Sequence, residues 1–376
     1  MTVNERTDQV KITKLSAYHA WLPYVGGQYK WGRGFVIENA LTTVIAIETD
    51  AGLTGYGECC PIEGDYLAAY PEGIVPALKR LAPAIIGLDP REVHLIERAM
   101  DRVLIGHSYA KTPIDNACWD LLGKATEQPV YRLLGGKLTE GGPMYRVVPQ
   151  KPVEEARREM EVHRQAGYRQ FQIKAGADWR RDIEAIHAAA ELLNPGERAF
   201  ADANRGWTLY EAVQVVRATK GLDIMIEQPC FTYEECLQVR RHCEQPMKLD
   251  EVVTDLKMAQ RIVQDQAAEV FCLKISNLGG LTKARRVRDF LCEQGYSVVS
   301  EDTWGSEITT AACAHFAAST PPELLYNTTD LSNYNTVSIC KDKAITKNGK
   351  LYASEATGLG VEPDFSVLGK PVVVYQ

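Results

Sequence analysis

At 376 residues the chain exceeds one ordinary domain and leaves room for a barrel of about 200 to 250 residues plus a second unit. Apolar residues at 45% and charged residues at 24% are ordinary globular proportions, and a net charge of −7 with interspersed signs excludes a basic nucleic-acid surface. The polar opening MTVNERTDQV and the lack of any apolar run near the roughly 18 residues of a membrane span predict neither export nor an anchor, hence a cytoplasmic location.

The first stretch alternates apolar and polar residues around VKITKLSAYHAWL and LTTVIAIETDAGLTGYGE, with Asp50-Ala51-Gly52 as the hairpin turn, which predicts a small antiparallel sheet. Helical periodicity follows in IVPALKRLAPAII, REVHLIERAMDRVL and TPIDNACWDLLGKATE, the last with Thr112 as N-cap and Pro113 at the first helical position. Residues 1–135 therefore read as an α+β unit. The adjacent Cys59 and Cys60 are the most unusual of ten cysteines and read as packed thiols, not as part of a disulfide framework.

From about residue 143 short β-rich runs alternate with helices, the pattern of a parallel sheet covered by helices. The runs are MYRVVP (144–149), QFQIKA (170–175), AFADA (199–203), IMIEQ (224–228), MKLDE (247–251), VFCLKI (270–275), SVVSED (297–302) and LLYNT (324–328). Eight is the count a (β/α)8-type TIM barrel requires, and residues 136–335 are assigned to it. The Gly-, Lys- and Pro-rich segment 336–376 is expected to pack back on the first unit.

In such a barrel the functional groups stand at the carboxyl ends of the strands. The ionisable residues there are Lys174, Asp202, Glu227, Asp250 and Lys274, spaced by 28, 25, 23 and 24 residues, each step close to one βα unit. One strand-end aspartate alone reads as a helix N-cap, and one lysine as a solvated charge. Three carboxylates from successive strands would repel one another without a cation between them, and an all-oxygen set suits Mg²⁺ or Mn²⁺ better than zinc. Strands 2 and 6 lie four apart, so Lys174 and Lys274 should face each other across that cation. Desolvation there is expected to lower their pKa values toward those of general bases. An α-proton beside a carboxylate is weakly acidic, and a metal on the carboxylate oxygens would stabilise the enediolate formed on its removal.

The motifs IKAG at Lys174, DAN from Asp202 to Asn204, EQP at Glu227, LDE at Asp250, LKISNLGGLTKA at Lys274 and DNACWDLLGK resemble the mandelate racemase and muconate lactonizing enzyme branch of the enolase superfamily. Sites of that superfamily combine a Lys or His base with Mg²⁺ that stabilises the enediolate. The resemblance implies a modified (β/α)7β barrel under an N-terminal α+β capping domain, Mg²⁺, and a homo-oligomer, commonly an octamer. It also implies Asn204 in substrate binding and a mobile loop, Tyr24-Val25-Gly26-Gly27-Gln28, that closes the site. Tyr56 and Tyr66 would flank a second specificity loop. Where the family often has Lys-x-Lys on strand 2, this chain has Gln172-Ile173-Lys174, so Gln172 becomes a candidate for the substrate carboxylate.

The segments GECCPIEGDYLAAYPEG, GHSYAKTPIDNACWD and SEDTWGSEITTAACAHFAAST resemble enzymes acting on proline derivatives, the cis-3-hydroxy-L-proline dehydratases and hydroxyproline betaine epimerases. Trp304 would suit such a ligand through cation–π contact with a ring ammonium. The Asp-x-Asp pattern by which dipeptide epimerases hold an amine at strand 8 is replaced here by Asn327-Thr328-Thr329-Asp330, and His315 reads as a packed surface residue of a helix. The expected activity is thus dehydration of cis-3-hydroxy-L-proline. A racemase or epimerase of proline or hydroxyproline derivatives is the second reading, and a carboxylate-binding protein without catalysis the third.

Overall fold

The computed structural model describes residues 10–32, 34–148 and 152–376. Most of the polar opening segment, residues 1–9, and Pro149 of the first strand run lie outside the described residues.

The amino-terminal sheet comprises β1 (Ile12–Pro23), β4 (Asn39–Thr49) and β5 (Thr54–Cys59), with β2 (Tyr29–Trp31) and β3 (Phe35–Ile37) forming a separate hairpin between β1 and β4. Helices α1 (Ile74–Ile85) and α3 (Ser108–Ala125) lie on its face, and α2 (Val93–Val103) packs against both. Their buried stripes, such as Ile74, Leu78, Leu81 and Ile85 on α1, recur at the three- and four-residue spacing of one helical face. Helix α3 begins four residues before the expected cap. Its N-cap is His107, in a left-handed conformation, while Thr112 sits inside the helix with its hydroxyl donating to Ser108 O at 3.0 Å. The sequence signal misled because Thr-Pro imitates a helix start, whereas tertiary burial of Tyr109 and Ala110 extends the helix backwards.

After α4 (Val130–Leu133) and the short β6 (Gly142–Pro143), eight parallel strands follow in strict chain order. They are β7 (Tyr145–Val148), β8 (Gln170–Lys174), β9 (Arg198–Asp202), β10 (Ile224–Glu227), β11 (Met247–Leu249), β12 (Val270–Lys274), β13 (Ser297–Glu301) and β14 (Leu325–Thr328). An isolated parallel bridge between Met144 and Thr328 brings the first and last together, so the sheet closes into a barrel. Helices α5 (Val153–Gln165), α6 (Trp179–Leu192), α7 (Leu209–Ala218), α8 (Tyr233–Arg240), α9 (Leu256–Gln264), α10 (Ile275–Leu278), α11 (Leu281–Glu293) and α12 (Glu307–Ala318) fill the connections. Two start with full capping boxes, Thr208 with Glu211 and Thr232 with Glu235, which end the preceding strand-to-helix loops sharply.

Alternation along the strands sorts side chains into two compartments. Tyr145, Phe200, Met225, Val270, Cys272, Val299 and Tyr326 pack inside the barrel, and the opposite parity packs against the helices. Filling the interior with large side chains leaves only the mouth for chemistry. The remaining segment adds β15 (Ile345–Lys347), β16 (Lys350–Tyr352), α13 (Phe365–Leu368) and β17 (Val373–Tyr375). Strand β16 pairs with β6, and β17 pairs antiparallel with β1.

Candidate active site at the barrel mouth

Lys174, Asp202, Glu227 and Lys274 each end their strand, and Asp250 follows β11 directly. Register brings Lys174 beside Asp202 and Asp202 beside Glu227. All five line one cavity, together with Gln172, Asn204, Tyr66 and Trp304. Tyr56, expected with them, lies elsewhere. Its ring packs under Lys124, 4.5 Å from the ammonium, and against Phe365, because on β5 its side chain faces away from the mouth toward the carboxyl-terminal segment.

The strand ends are held in uncommon backbone conformations. Asn204, Arg205 and Gln228 all have left-handed φ, at 41°, 63° and 36°. Such strain, of order 1 kcal/mol or more for each residue other than Asn, persists because side chains pin it. The Gln228 Oε1 accepts from Asp250 N at 3.0 Å, and Arg205 donates to the carbonyl oxygens of Asp65 and Tyr66, fixing the loop that carries Tyr66. The glycine of IKAG has a plain steric reason: a Cβ on Gly176 would lie 2.2 Å from Ala203 O.

Every acid of the trio meets a lysine. Lys174 Nζ donates to Asp202 Oδ2 at 2.7 Å and to Asn204 Oδ1 at 2.9 Å, and Lys274 Nζ donates to Asp250. Lys248, fully buried one inward position below Asp250, sets its Nζ 2.8 Å from Glu227 Oε1 and 4.5 Å from the centre of the Phe200 ring. Gln172 Nε2 donates to Asp202 Oδ2 at 3.0 Å, so Gln172 supports an acid of the trio.

The two lysines depart from the expected lowering of their pKa values. Burial does oppose the charge on Lys174, but the Asp202 carboxylate, through its charge and its hydrogen bond, outweighs it and pushes the pKa up, with Tyr29 and Glu227 acting in the same direction. For Lys274 burial is likewise outweighed, by Asp250 first, and the pKa again rises. The Glu227 carboxyl is pushed up by burial and by the neighbouring Asp202. Burial and Asp250 raise Glu251 to about 7.

These interactions bear on the expected cation. Among the described residues no three acidic, histidine or cysteine side chains are arranged to hold a metal ion as they stand, since each carboxylate of the trio is turned to its lysine. Yet Glu227 Oε2 and Asp250 Oδ1 are buried without any hydrogen-bond partner. Uncompensated buried carboxylate oxygens are costly, and a hard divalent cation is the group that satisfies them. The donor set fits.

An aromatic wall completes the cavity. Tyr29, Tyr24 and Tyr334 surround Trp304 with ring centres 5.3, 5.9 and 5.7 Å away, and Trp304 Nε1 donates to Asn335 Oδ1 at 2.9 Å. The loop after β1 is tied to this wall, with Val25 N donating to Tyr334 O at 2.9 Å. Sequence reading passed over Tyr29 and Tyr334, and over Lys248 and Glu301. Glu301 ends β13 and lines the cavity, so the strand-end rule applied to the seventh run would have found it. Lys248 carried a weaker signal, its place two residues before Asp250 on the same strand face. His315 is wholly buried, with Nδ1 accepting from Tyr131 N and Nε2 donating to Leu359 O, and so is not a surface residue.

Residues 154–367 match the enolase C-terminal domain-like family, and residues 34–135 match the mandelate racemase/muconate lactonizing enzyme N-terminal domain. The chain belongs to the mandelate racemase/muconate lactonizing enzyme branch of the enolase superfamily. Within that branch it is 45% identical over 367 residues to a cis-3-hydroxy-L-proline dehydratase of Roseibium aggregatum, covering 98% of this chain and 100% of that protein. A hydrophobic dipeptide epimerase of Enterococcus faecalis is 29% identical, over 86% of this chain and 92% of its own. A crystal structure of a mandelate racemase/muconate lactonizing enzyme from Roseovarius nubinhibens ISM superposes with a TM-score of 0.96 at 56% identity, over 97% of this chain and 99% of that one. An enolase-superfamily member from the same organism, solved in complex with magnesium, superposes with a TM-score of 0.92 at 34% identity, over 98% and 100%. No helix of the described residues is long and apolar enough to cross a membrane.

Proposed function

We propose that this chain is a magnesium-dependent hydro-lyase acting on cis-3-hydroxy-L-proline, with Lys174 and Lys274 moving the protons and Asp202, Glu227 and Asp250 holding the ion. The observation that carries the reading is the pair of lysines on opposite barrel walls, Lys274 buried and Lys174 partly so, flanking three acids of which two, Glu227 at Oε2 and Asp250 at Oδ1, have a buried oxygen without a partner. The 45% identity to a dehydratase of that substrate supports the choice of ligand.

A bound divalent ion supplies Lewis-acid stabilisation for charge developing on the substrate carboxylate. The side chains do the rest. In cis-3-hydroxy-L-proline the hydroxyl shares a ring face with the carboxylate, so the α-hydrogen lies on the opposite face. Lysines on opposite walls reach one face each. One Nζ takes the α-hydrogen as a proton, and the C–H electron pair becomes the Cα–Cβ double bond as the Cβ–O bond breaks. The other Nζ gives its proton to the departing hydroxide, which leaves as water. Both ammoniums are held by Asp202 and Asp250 in this structure. With those oxygens committed to a cation, burial is less opposed at the lysine that takes the proton and favours its neutral amine, while the other lysine must keep the proton that it gives. Tyr29, Trp304 and Tyr334 line the cavity and would shield the reacting carbon from bulk water.

The test is incubation with cis-3-hydroxy-L-proline and Mg²⁺ in deuterated water, following ultraviolet absorbance of the unsaturated product together with α-deuterium exchange. Absorbance growth with metal dependence is the expected result. Exchange with inversion and no loss of water would instead assign an epimerase, the activity of the less similar relatives.

A further inference from the structure

The barrel order sets strand 7 across the mouth from strand 3, just as strand 6 faces strand 2. The acid trio occupies the ends of strands 3 to 5, and the lysines those of strands 2 and 6. Glu301 ends strand 7, in register beside Lys274, and lines the same cavity. Its Oε1 accepts from the Tyr145 hydroxyl at 3.0 Å and its Oε2 from the Cys272 thiol at 3.3 Å. Both donors are uncharged. Whereas each acid of the trio has a lysine, no cationic side chain among the described residues is ion-paired with Glu301. The carboxylate is therefore fixed in place, hydrogen-bonded in its accepting form, and available to a cation from outside the protein.

The acid at the end of strand 8 is not available in this way. Asp330 accepts from Ser332 Oγ at 2.6 Å, Asn333 Nδ2 at 2.7 Å and Thr346 Oγ1 at 2.6 Å, and it does not line the cavity.

We propose that Glu301 binds the substrate's ammonium and so restricts the site to α-amino acids presented as zwitterions. This deepens the reading of the preceding section and rests on it for the position of the carboxylate. The carboxylate end of the ligand lies toward Asp202, Glu227 and Asp250, and the nitrogen toward Glu301 on the facing wall. Both groups are bonded to Cα, so a ligand stretched along this axis sets Cα between Lys174 and Lys274. The two remaining substituents of Cα, its hydrogen and Cβ, then point to the two lysine walls. One lysine meets the proton to be removed and the other meets the carbon that loses its hydroxyl. Glu301 is thus a specificity-determining residue and takes no proton itself.

The experiment is calorimetric titration of the Mg²⁺-loaded protein with L-proline and with tetrahydrofuran-2-carboxylate, the ring-oxygen analogue that has no ammonium. Wild type should prefer L-proline by about tenfold or more, the order of one charge-assisted hydrogen bond. Glu301→Gln should weaken L-proline about tenfold while leaving the analogue within about twofold, and Glu301→Asp should keep part of the preference. Equal weakening of both ligands in Glu301→Gln, or no preference in wild type, overturns the proposal. Should Glu301→Gln fail to fold, the wild-type preference and its partial retention in Glu301→Asp decide. Dehydration of cis-3-hydroxy-L-proline with no ring-nitrogen preference would overturn this inference alone. A Glu301-dependent preference without dehydration would overturn the hydro-lyase reading alone, and binding of neither ligand overturns both.

Discussion

The carboxylate of Glu58, on β5 of the capping sheet, accepts hydrogen bonds from both the backbone N–H and the hydroxyl of Ser306, the N-cap of α12 in the barrel. Thr309 N and Oγ1 and Thr42 Oγ1 donate to the same carboxylate. Burial pushes the Glu58 pKa up, although these donors pull against it. The clasp lies two residues beyond Trp304, so it joins capping sheet to barrel at the aromatic wall. Glu58→Gln replaces an acceptor oxygen with an amide donor facing other donors, and should cost about 1–3 kcal/mol of stability. Calorimetry should show a lower Tm, and steady-state kinetics a raised KM.

Lys174 and Lys274 should separate by assay. If each lysine serves one face of the ring, substitution of either by Gln lowers kcat for elimination by about 10²–10⁴-fold. Deuterium exchange at Cα should be lost in the variant lacking the base and retained in the one lacking the proton donor. Retention in both variants would show that neither lysine abstracts the proton.

Chelation should abolish turnover, and Mg²⁺ or Mn²⁺ should restore it. Independently of turnover, an ion at about 100 times its Kd raises folding stability by about 2.7 kcal/mol, which appears as a rise in Tm. Glu227→Gln and Asp250→Asn should lose most of that rise. Lys248→Met leaves Glu227 Oε1 unpaired and should change the Mg²⁺ Kd without touching the substrate.

Stability against pH carries two opposed slopes. Burial raises Asp115 from 3.8 to about 7, so the folded protein keeps a proton that the unfolded chain loses. That contribution is complete below about pH 4 and is lost as pH rises toward 7. Burial lowers His315 from 6.5 to about 4, so its contribution is present above pH 6.5 and is lost as pH falls toward 4. Between these limits the Asp115 and His315 slopes oppose each other. Thermal melts from pH 4 to 8 should show a steeper acid-side loss in Asp115→Asn and a decline with rising pH in His315→Gln.

The barrel and its five charged strand ends were legible because a closed parallel barrel couples chain position to spatial position: one residue per βα step places one group per strand at the mouth. The same logic fails for the capping sheet, where Tyr56 and Tyr66 are separated by a loop whose path depends on Arg205, a residue from the other end of the fold. Helix α3 started early because packing, which periodicity does not report, overrode the Thr-Pro signal. The direction of the lysine pKa shifts depended on which partner each side chain faces. Strand order alone put Lys174 beside Asp202, but it did not reveal that carboxylates would outweigh desolvation. Glu301 went unnoticed although it obeys the rule that found the others.

Strand β17 completes the capping sheet by pairing with β1, yet the whole barrel is synthesised between them. During translation the outer margin of β1 is therefore bare for as long as the ribosome takes to make every βα unit. A nascent chain in that state exposes backbone donors and acceptors that any extended segment could capture. Truncation before Val373 should leave that margin permanently open, so the tail acts as a seal against association as well as an edge strand.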